Sequence, residues 1–228
     1  MSVVNEKDFL YLIWHDRKTK KQYIVGTLTK NGKYEFEYSN EIEEAMENGF
    51  NLLIAFPDKS KKYENDMLFP AFATRLPDEK RVDIDTILEK YKMKKYDAYE
   101  LLKRSGAKLP IDDLEFIDPI PDIEREVKRD FFVAGSRHYL NCEGGIKCQK
   151  QSIEIGSKIE LECEPDNVKD EYAVKMLYNG KLIGYVPRYY ARSIFNILSN
   201  KRSYTCKVIE VNENNDCRNC IKVNFYAK

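Results

Sequence analysis

Histidine is the scarcest chemistry-bearing residue in this chain. Of 228 residues, two are histidine (His15 and His138) and one is tryptophan. Two imidazoles far apart in the chain do not make a His-rich metal centre, and no Asp/Glu group stands at a spacing that would hold cations for phosphodiester hydrolysis. There is no Gly-x-Ser-x-Gly elbow for acyl transfer, and the nearest thing to a thiol–imidazole pair is Cys142, four residues from His138. Glycine is sparse at ten residues, with no glycine-rich phosphate loop and no His-Arg-Asp or Asp-Phe-Gly triplet. These absences point away from an enzyme and from a bound cofactor. Long apolar runs are missing too: none approaches the roughly eighteen residues of a membrane span. The opening MSVVNEKDF lacks the charged-then-apolar build of a secretion signal, so the chain reads as cytoplasmic with no membrane partner.

Net charge is also lacking, with 38 basic residues against 38 acidic. That balance excludes a protein that coats duplex DNA by charge alone. The halves nevertheless differ. From Arg129 to Lys228 there are sixteen Lys or Arg and twelve Asp or Glu, a net of +4, which leaves −4 for the rest. The asymmetry marks the C-terminal half as the one to meet an anionic partner, against the plainer reading of a solvated surface.

The hydrophobic fraction of 43%, with 12% aromatics, is that of a folded protein, and the length suits two small domains. Six cysteines all lie in the second half. In a reducing compartment they read as thiols or metal ligands. Cys217 and Cys220 have the spacing of half a zinc knuckle, and Cys142 with Cys148 would supply the other half. Against zinc, Cys142 and Cys148 are spaced too widely, so unligated thiols are the reading preferred.

In the first half, Phe9 to Trp14 and Gln22 to Thr29 have strand patterns, and KYEFEY alternates across Asn31-Gly32, a hairpin signal. Ser39 or Asn40 is placed to cap a helix from Glu41 to Asn48, and Leu52 to Phe56 reads as a returning strand. Asp83 is placed to cap a helix with Ile84, Ile87, Leu88 and Tyr91 on one face. A second helix over Tyr96–Ser105 turns Ala98, Leu101 and Leu102 inward and ends at Gly106. His15 reads as a surface or turn residue. Leu114 to Arg129, with Pro119 and Pro121 and a run of charge, reads as the connection between domains.

In the second half an apolar run from Phe131 turns outward at Gly135, and Ile159, Leu161 and Cys163 alternate with Glu160, Glu162 and Glu164. A hairpin about Asn179-Gly180 and a helix carrying Tyr190, Ile194, Ile197 and Leu198 complete it. The chain is therefore α+β in two domains: residues 1–118, a linker over 119–129, and residues 130–228.

Three segments of the second half, in order, resemble the HIRAN domain family: Gly135-Ser136-Arg137-His138-Tyr139; Glu164-Pro165-Asp166-Asn167 with Asp170 and Ala173-Val174; and Ile183-Gly184-Tyr185-Val186-Pro187-Arg188. The resemblance implies a six-stranded OB-like antiparallel barrel with a packed helix that binds single-stranded DNA at its 3′ end. On that likeness Arg137, His138 and Tyr139 match the first binding loop, Lys169 and Asp170 the second, and Tyr185 with Arg188 the third. Asp170 would accept the 3′-hydroxyl and Arg188 would sit on a phosphate. Relatives carry aromatic rings at the places of His138 and Lys169, so here an imidazole stacks and an amine adds phosphate attraction. A plainer reading makes Tyr139 and Tyr185 barrel-core rings, Arg137 and Arg188 surface partners of Glu160 to Glu164, and Asp170 a turn residue.

The first half resembles the small N-terminal subdomain of HipA-type kinases through Val25-Gly26-Thr27-Leu28, Tyr34 to Tyr38, Leu68-Phe69-Pro70 to Arg75-Leu76-Pro77, and Tyr99-Glu100-Leu101-Leu102. With no kinase motifs present, this half is expected to dock or regulate. The alternative is a protein-interaction factor, antitoxin- or adaptor-like, in which residues 1–118 pair with a separate kinase core and the C-terminal half supports them.

Overall fold

The computed structural model describes residues 8–19, 21–120, 126–140, 152–212 and 219–228. The chain divides into two compact units, Met1–Pro119 and Ile120–Lys228. Each has its own sheet system and core, and the class is α+β with antiparallel pairing throughout the strand ladders.

In the first unit, β1 (Asp8–His15), β2 (Gln22–Asn31), β3 (Lys33–Tyr38), β4 (Tyr63–Asn65) and β5 (Leu114–Ile117) form one sheet in the order β4-β3-β2-β1-β5. The Asn31-Gly32 hairpin forms as its dipeptide predicts, with Gly32 at φ 73°. The helices α1 (Ile42–Glu47), α2 (Pro70–Ala73), α3 (Ile84–Lys90) and α4 (Ala98–Ser105) fill the connections. In α4 the Asp97 carboxylate accepts from the Glu100 N–H, and Gly106 closes the helix at φ 69°. The residues it buries are Tyr99, Leu101 and Leu102, with Tyr99 taking the inward place expected of Ala98.

The core of this unit is aromatic. Phe36 packs on Phe56 at 4.4 Å between ring centroids, and Phe72 sits between Phe36 and Phe116 at 5.2 and 5.0 Å. Leu52–Phe56, expected as a strand, is a loop. The buried Tyr38 hydroxyl donates to the Phe56 carbonyl and accepts from the Leu53 N–H, both at 2.9 Å, so a side chain serves the backbone groups that a neighbouring strand would have served. Asp83 does not cap α3, because both carboxylate oxygens are taken by Arg81 at 2.7 and 2.8 Å. His15 ends β1 half-buried, its Nε2 3.1 Å from the Glu115 carboxylate of β5. Leu114 to Ile117, read as part of the connection, is thus a sheet strand.

Arg75, whose side chain is 8% exposed, grips Asp112 with both terminal nitrogens and donates to the carbonyls of Ala107 and Leu114, each at 3.1 Å. It ties the turn after α2 to the segment leading into β5. A lysine supplies one point charge where this site uses a planar fork. Arg75→Lys is expected to lower stability by about 2–3 kcal/mol, measured as a shift in urea midpoint at constant slope.

The second unit holds two three-stranded sheets. One is β10 (Tyr204–Val211), β11 (Ile221–Ala227) and β6 (Val127–Phe132); the other is β7 (Glu160–Cys163), β8 (Val174–Tyr178) and β9 (Lys181–Tyr185). Val127 to Arg129, assigned to the linker by their charges, are the first half of β6; Val127 is buried and alternates with exposed Lys128. Two seams join the sheets. Ala134 and Tyr185 exchange hydrogen bonds of 2.8 and 2.9 Å between β6 and β9. Between β10 and the segment leading into β7, Ile159 donates to Cys206, Val208 to Ser157 and Gly156 to Val208, at 2.8–2.9 Å. The ladder therefore runs β6-β9-β8-β7-β10-β11 and returns to β6, a closed six-stranded barrel. The β8–β9 hairpin turns on Asn179 and Gly180 at φ 50° and 73°, the two positive values of a type I′ turn.

The helix α6 (Arg188–Ser199) packs Tyr190, Ala191, Ile194 and Ile197 inward, with the Tyr190 ring 5.5 Å from that of Phe131. The hydroxyl of Ser193 donates to the Ile120 carbonyl at 3.0 Å, so Ile120 is already anchored to this unit. Among the described residues no helix is long and apolar enough to cross a membrane.

Gly184 sits at the first seam with φ 147°, and a Cβ there would lie 2.5 Å from the Ala134 carbonyl oxygen and from a Val133 methyl. No larger residue fits without parting the seam. Gly184→Ala is expected to destabilise this unit by about 2–3 kcal/mol, read as a lower midpoint of thermal unfolding.

Candidate nucleic-acid interface

After the seam, Gly135 takes a left-handed turn at φ 70° and the chain enters the single-turn helix α5 (Ser136–Tyr139). This replaces the open loop expected for these residues. Ser136 and Leu140 are buried, and the Leu140 N–H donates to the Ser136 carbonyl at 2.9 Å. Ser136 Oγ also lies 3.1 Å from the Sγ of buried Cys220. With both ends of the turn anchored inward, Arg137, His138 and Tyr139 face outward, His138 and Tyr139 as exposed side chains. Arg137 Nε donates to His138 Nε2 at 3.1 Å.

Tyr139 stands against Tyr185, with ring centroids 5.8 Å apart and planes inclined at 56°. Neither is a core residue: Tyr139 is 39% exposed and Tyr185 half-buried. The Tyr185 hydroxyl donates to Glu164 Oε2 at 3.0 Å. Burial, and then the neighbouring Glu164 and Tyr139, push the Tyr185 phenol well above its usual range.

Glu164 closes β7. Its Oε1 receives Lys175 Nζ at 2.9 Å, and its Oε2 receives Asn167 Nδ2 at 2.6 Å as well as Tyr185. Asn167 Oδ1 in turn accepts the backbone N–H groups of Lys169 and Asp170 at 2.9 and 3.2 Å. Asp170 Oδ1 accepts the Tyr172 N–H at 2.9 Å. Two Asx turns in succession therefore shape the loop between β7 and β8. Lys169 is exposed, Asp170 half-buried, and Val168 between them and Asn167 is fully exposed. Arg188 is the exposed first residue of α6, directly after buried Pro187.

Tyr139 and Tyr185 are thus brought into ring contact, Arg137 and His138 into hydrogen-bond contact, and Lys169 and Asp170 are linked to Tyr185 through Asn167 and Glu164. Arg188 follows Tyr185 along the chain. At the end of the acidic run, Glu164 is occupied by Lys175, Asn167 and Tyr185. Sequence reasoning gave Glu164 only the part of a surface acid, and gave Asn167 and Lys175 no part in the site. The signals available were the matching segment Glu164-Pro165-Asp166-Asn167 and the place of Asn167 three residues before Asp170, a spacing that suits side-chain capture of loop N–H groups. Of the proposed zinc ligands, Cys142, Cys148 and Cys217 lie outside the described residues. Cys220 and Cys206 are buried thiols, and burial pushes Cys206 up to about 12. Among the described residues no cluster of three His, Cys, Asp or Glu side chains stands where it could hold a metal ion.

Residues 128–228 match the HIRAN domain family and residues 19–110 the HipA N-terminal domain family. Among solved structures, the HIRAN domain of human HLTF aligns at 18% identity over 45% of this chain and 74% of that one, with a TM-score of 0.33. A protein from Lactobacillus plantarum aligns at 13% identity over 45% of this chain and 96% of that one, with a TM-score of 0.35. No curated protein matches the chain.

The Glu164 carboxyl is held below the usual carboxylate range by Lys175 and Asn167, with Tyr185 adding to them. A depressed folded-state pKa means its contribution is whole above the ordinary value and is lost as pH falls through the lower, folded one. In an amide-resolved NMR titration, the Asn167–Asp170 signals are expected to hold from neutrality to about pH 4.3 and to move only below it. Movement centred at or above about pH 4.3 would show a Glu164 without these partners.

Proposed function

We propose that the unit from Ile120 to Lys228 is a non-catalytic binding module that holds single-stranded DNA at a free 3′ end. The observation that carries this reading is the assembly, on one barrel rim, of two contacting tyrosine rings, a turn of helix bearing Arg137 and His138, and a loop bearing Lys169 and Asp170. Unpaired bases offer planar faces and phosphates, and rings with cations are what such a strand requires; each stacked base is worth about 1–3 kcal/mol. Tyr139, Tyr185 and His138 supply the stacking surfaces. Arg137, Lys169 and Arg188 meet phosphate. Asp170 spends Oδ1 on Tyr172, which leaves Oδ2 to accept the terminal hydroxyl. The match of residues 128–228 to the HIRAN family supports the same reading.

The first unit is the docking or regulatory piece. The match of residues 19–110 to the HipA N-terminal domain favours a protein partner, and a separately encoded kinase core is the partner of matching kind. A tagged full chain that retains a kinase-like polypeptide in stoichiometric amount would bear this out; a clean monomer counts against it.

For the DNA reading, fluorescence anisotropy with a labelled single strand is expected to give a Kd on the order of micromolar, weakened by added salt and by a 3′-phosphate. The double variant Arg137→Ala with Asp170→Ala is expected to abolish binding while leaving any protein partner in place. Absence of binding by the unaltered protein at low salt would end this reading.

A further inference from the structure

We propose that Glu164 is the positioning residue of this interface, a carboxylate that touches no nucleic acid and sets the geometry of the three surface segments that do. The proposal rests on the DNA-binding reading and deepens it. The three segments, α5, the loop between β7 and β8, and the end of β9, are distant in the chain, yet each leads to this one side chain. Tyr185 of β9 donates to it directly at 3.0 Å. Tyr139 of α5 reaches it through the Tyr185 ring, against which it stands at 5.8 Å between centroids. The loop reaches it through Asn167, whose amide donates at 2.6 Å while its carbonyl oxygen holds the Lys169 and Asp170 N–H groups. An ionised carboxylate has acceptor sites enough for Tyr185, Asn167 and Lys175 together, which no neutral side chain of similar size offers.

A carboxylate on a rim meant for phosphates should repel them. Lys175 at 2.9 Å removes that objection, since the pair presents no net charge. It also makes the proposal separable from a simple charge effect. Were Glu164 merely a surface charge, deleting it would unmask Lys175, tighten binding and steepen its salt dependence. As the common anchor, its deletion instead loosens the loop and both rings, and binding falls although the rim has become more positive.

The test uses the full chain, unaltered and as E164A, E164Q and K175M, with one single-stranded oligonucleotide ending in a 3′-hydroxyl or a 3′-phosphate at two salt concentrations. Hydrogen exchange of residues 166–172 is followed in the same proteins without DNA. E164A is expected to lose about tenfold in affinity for the hydroxyl end, to lose its preference over the phosphate end, and to exchange faster in the loop. The seam amides of Ala134, Tyr185 and Val208 stay protected and report that the barrel remains folded. E164Q keeps one acceptor oxygen and is expected to fall between E164A and the unaltered chain. K175M leaves the Tyr185 and Asn167 bonds in place and is expected to keep the end preference while binding more weakly. An E164A protein that binds as tightly as the unaltered one, or more tightly, with its end preference intact overturns the proposal alone. An unaltered protein that binds neither oligonucleotide overturns the functional reading and the proposal together.

Discussion

The pair of hydrogen bonds between Ala134 and Tyr185 is the constraint on which the C-terminal unit depends. It joins two three-stranded sheets into a closed barrel, and it exists only because Gly184 has no Cβ to strike the Ala134 carbonyl. The seam fixes Tyr185 beside the point where the chain leaves β6, and Gly135 then turns the next residues into α5. The contact of Tyr139 with Tyr185 follows from that closure, as does the access of Tyr185 to Glu164. Fold and candidate site are in this sense one event: the bonds that end the barrel are the bonds that set the rim.

The N-terminal unit is organised by a different economy. Its sheet is short at the β4 edge, and much of its enclosed volume is filled by rings from β3, α2, β5 and the loop at Phe56. Buried loops leave backbone groups to satisfy, and two polar side chains answer that need: the Tyr38 hydroxyl for the Leu53–Phe56 turn and the Arg75 guanidinium for the Ala107–Leu114 segment. Both are set within the core of the unit, where each removes a cost of about 1–3 kcal/mol that an unpaired buried group would carry.

What could be read in advance follows from range. KYEFEY, the Glu160–Cys163 alternation, both Asn-Gly turns and the Gly106 stop are local patterns, and each became the element its spacing implied. Leu52–Phe56 misled because an apolar run looks the same whether its backbone pairs with a strand or with one tyrosine. Val127–Arg129 and Leu114–Ile117 misled because charge and nearby proline outweighed the weak alternation that their sheet neighbours exploit. The seams could not be read at all, since nothing near Ala134 announces a partner in β9. For the rim, the residue types with stacking or charge stood out, whereas Glu164 looked like one more wet-face acid. Its importance lies in who donates to it, and donors from three segments become visible only in three dimensions.

The two seams are unequal. Among the described residues, three backbone hydrogen bonds stitch the segment leading into β7 to β10, and two stitch β6 to β9. The thinner join is the one at the rim, so it is where the wall would first gape during a partial opening. Whatever is gripped from both sides of that join, from α5 and from β9, acts as a clasp across it. Occupancy of the rim and closure of the cylinder then reinforce each other, and a loaded barrel is harder to unbutton than an empty one.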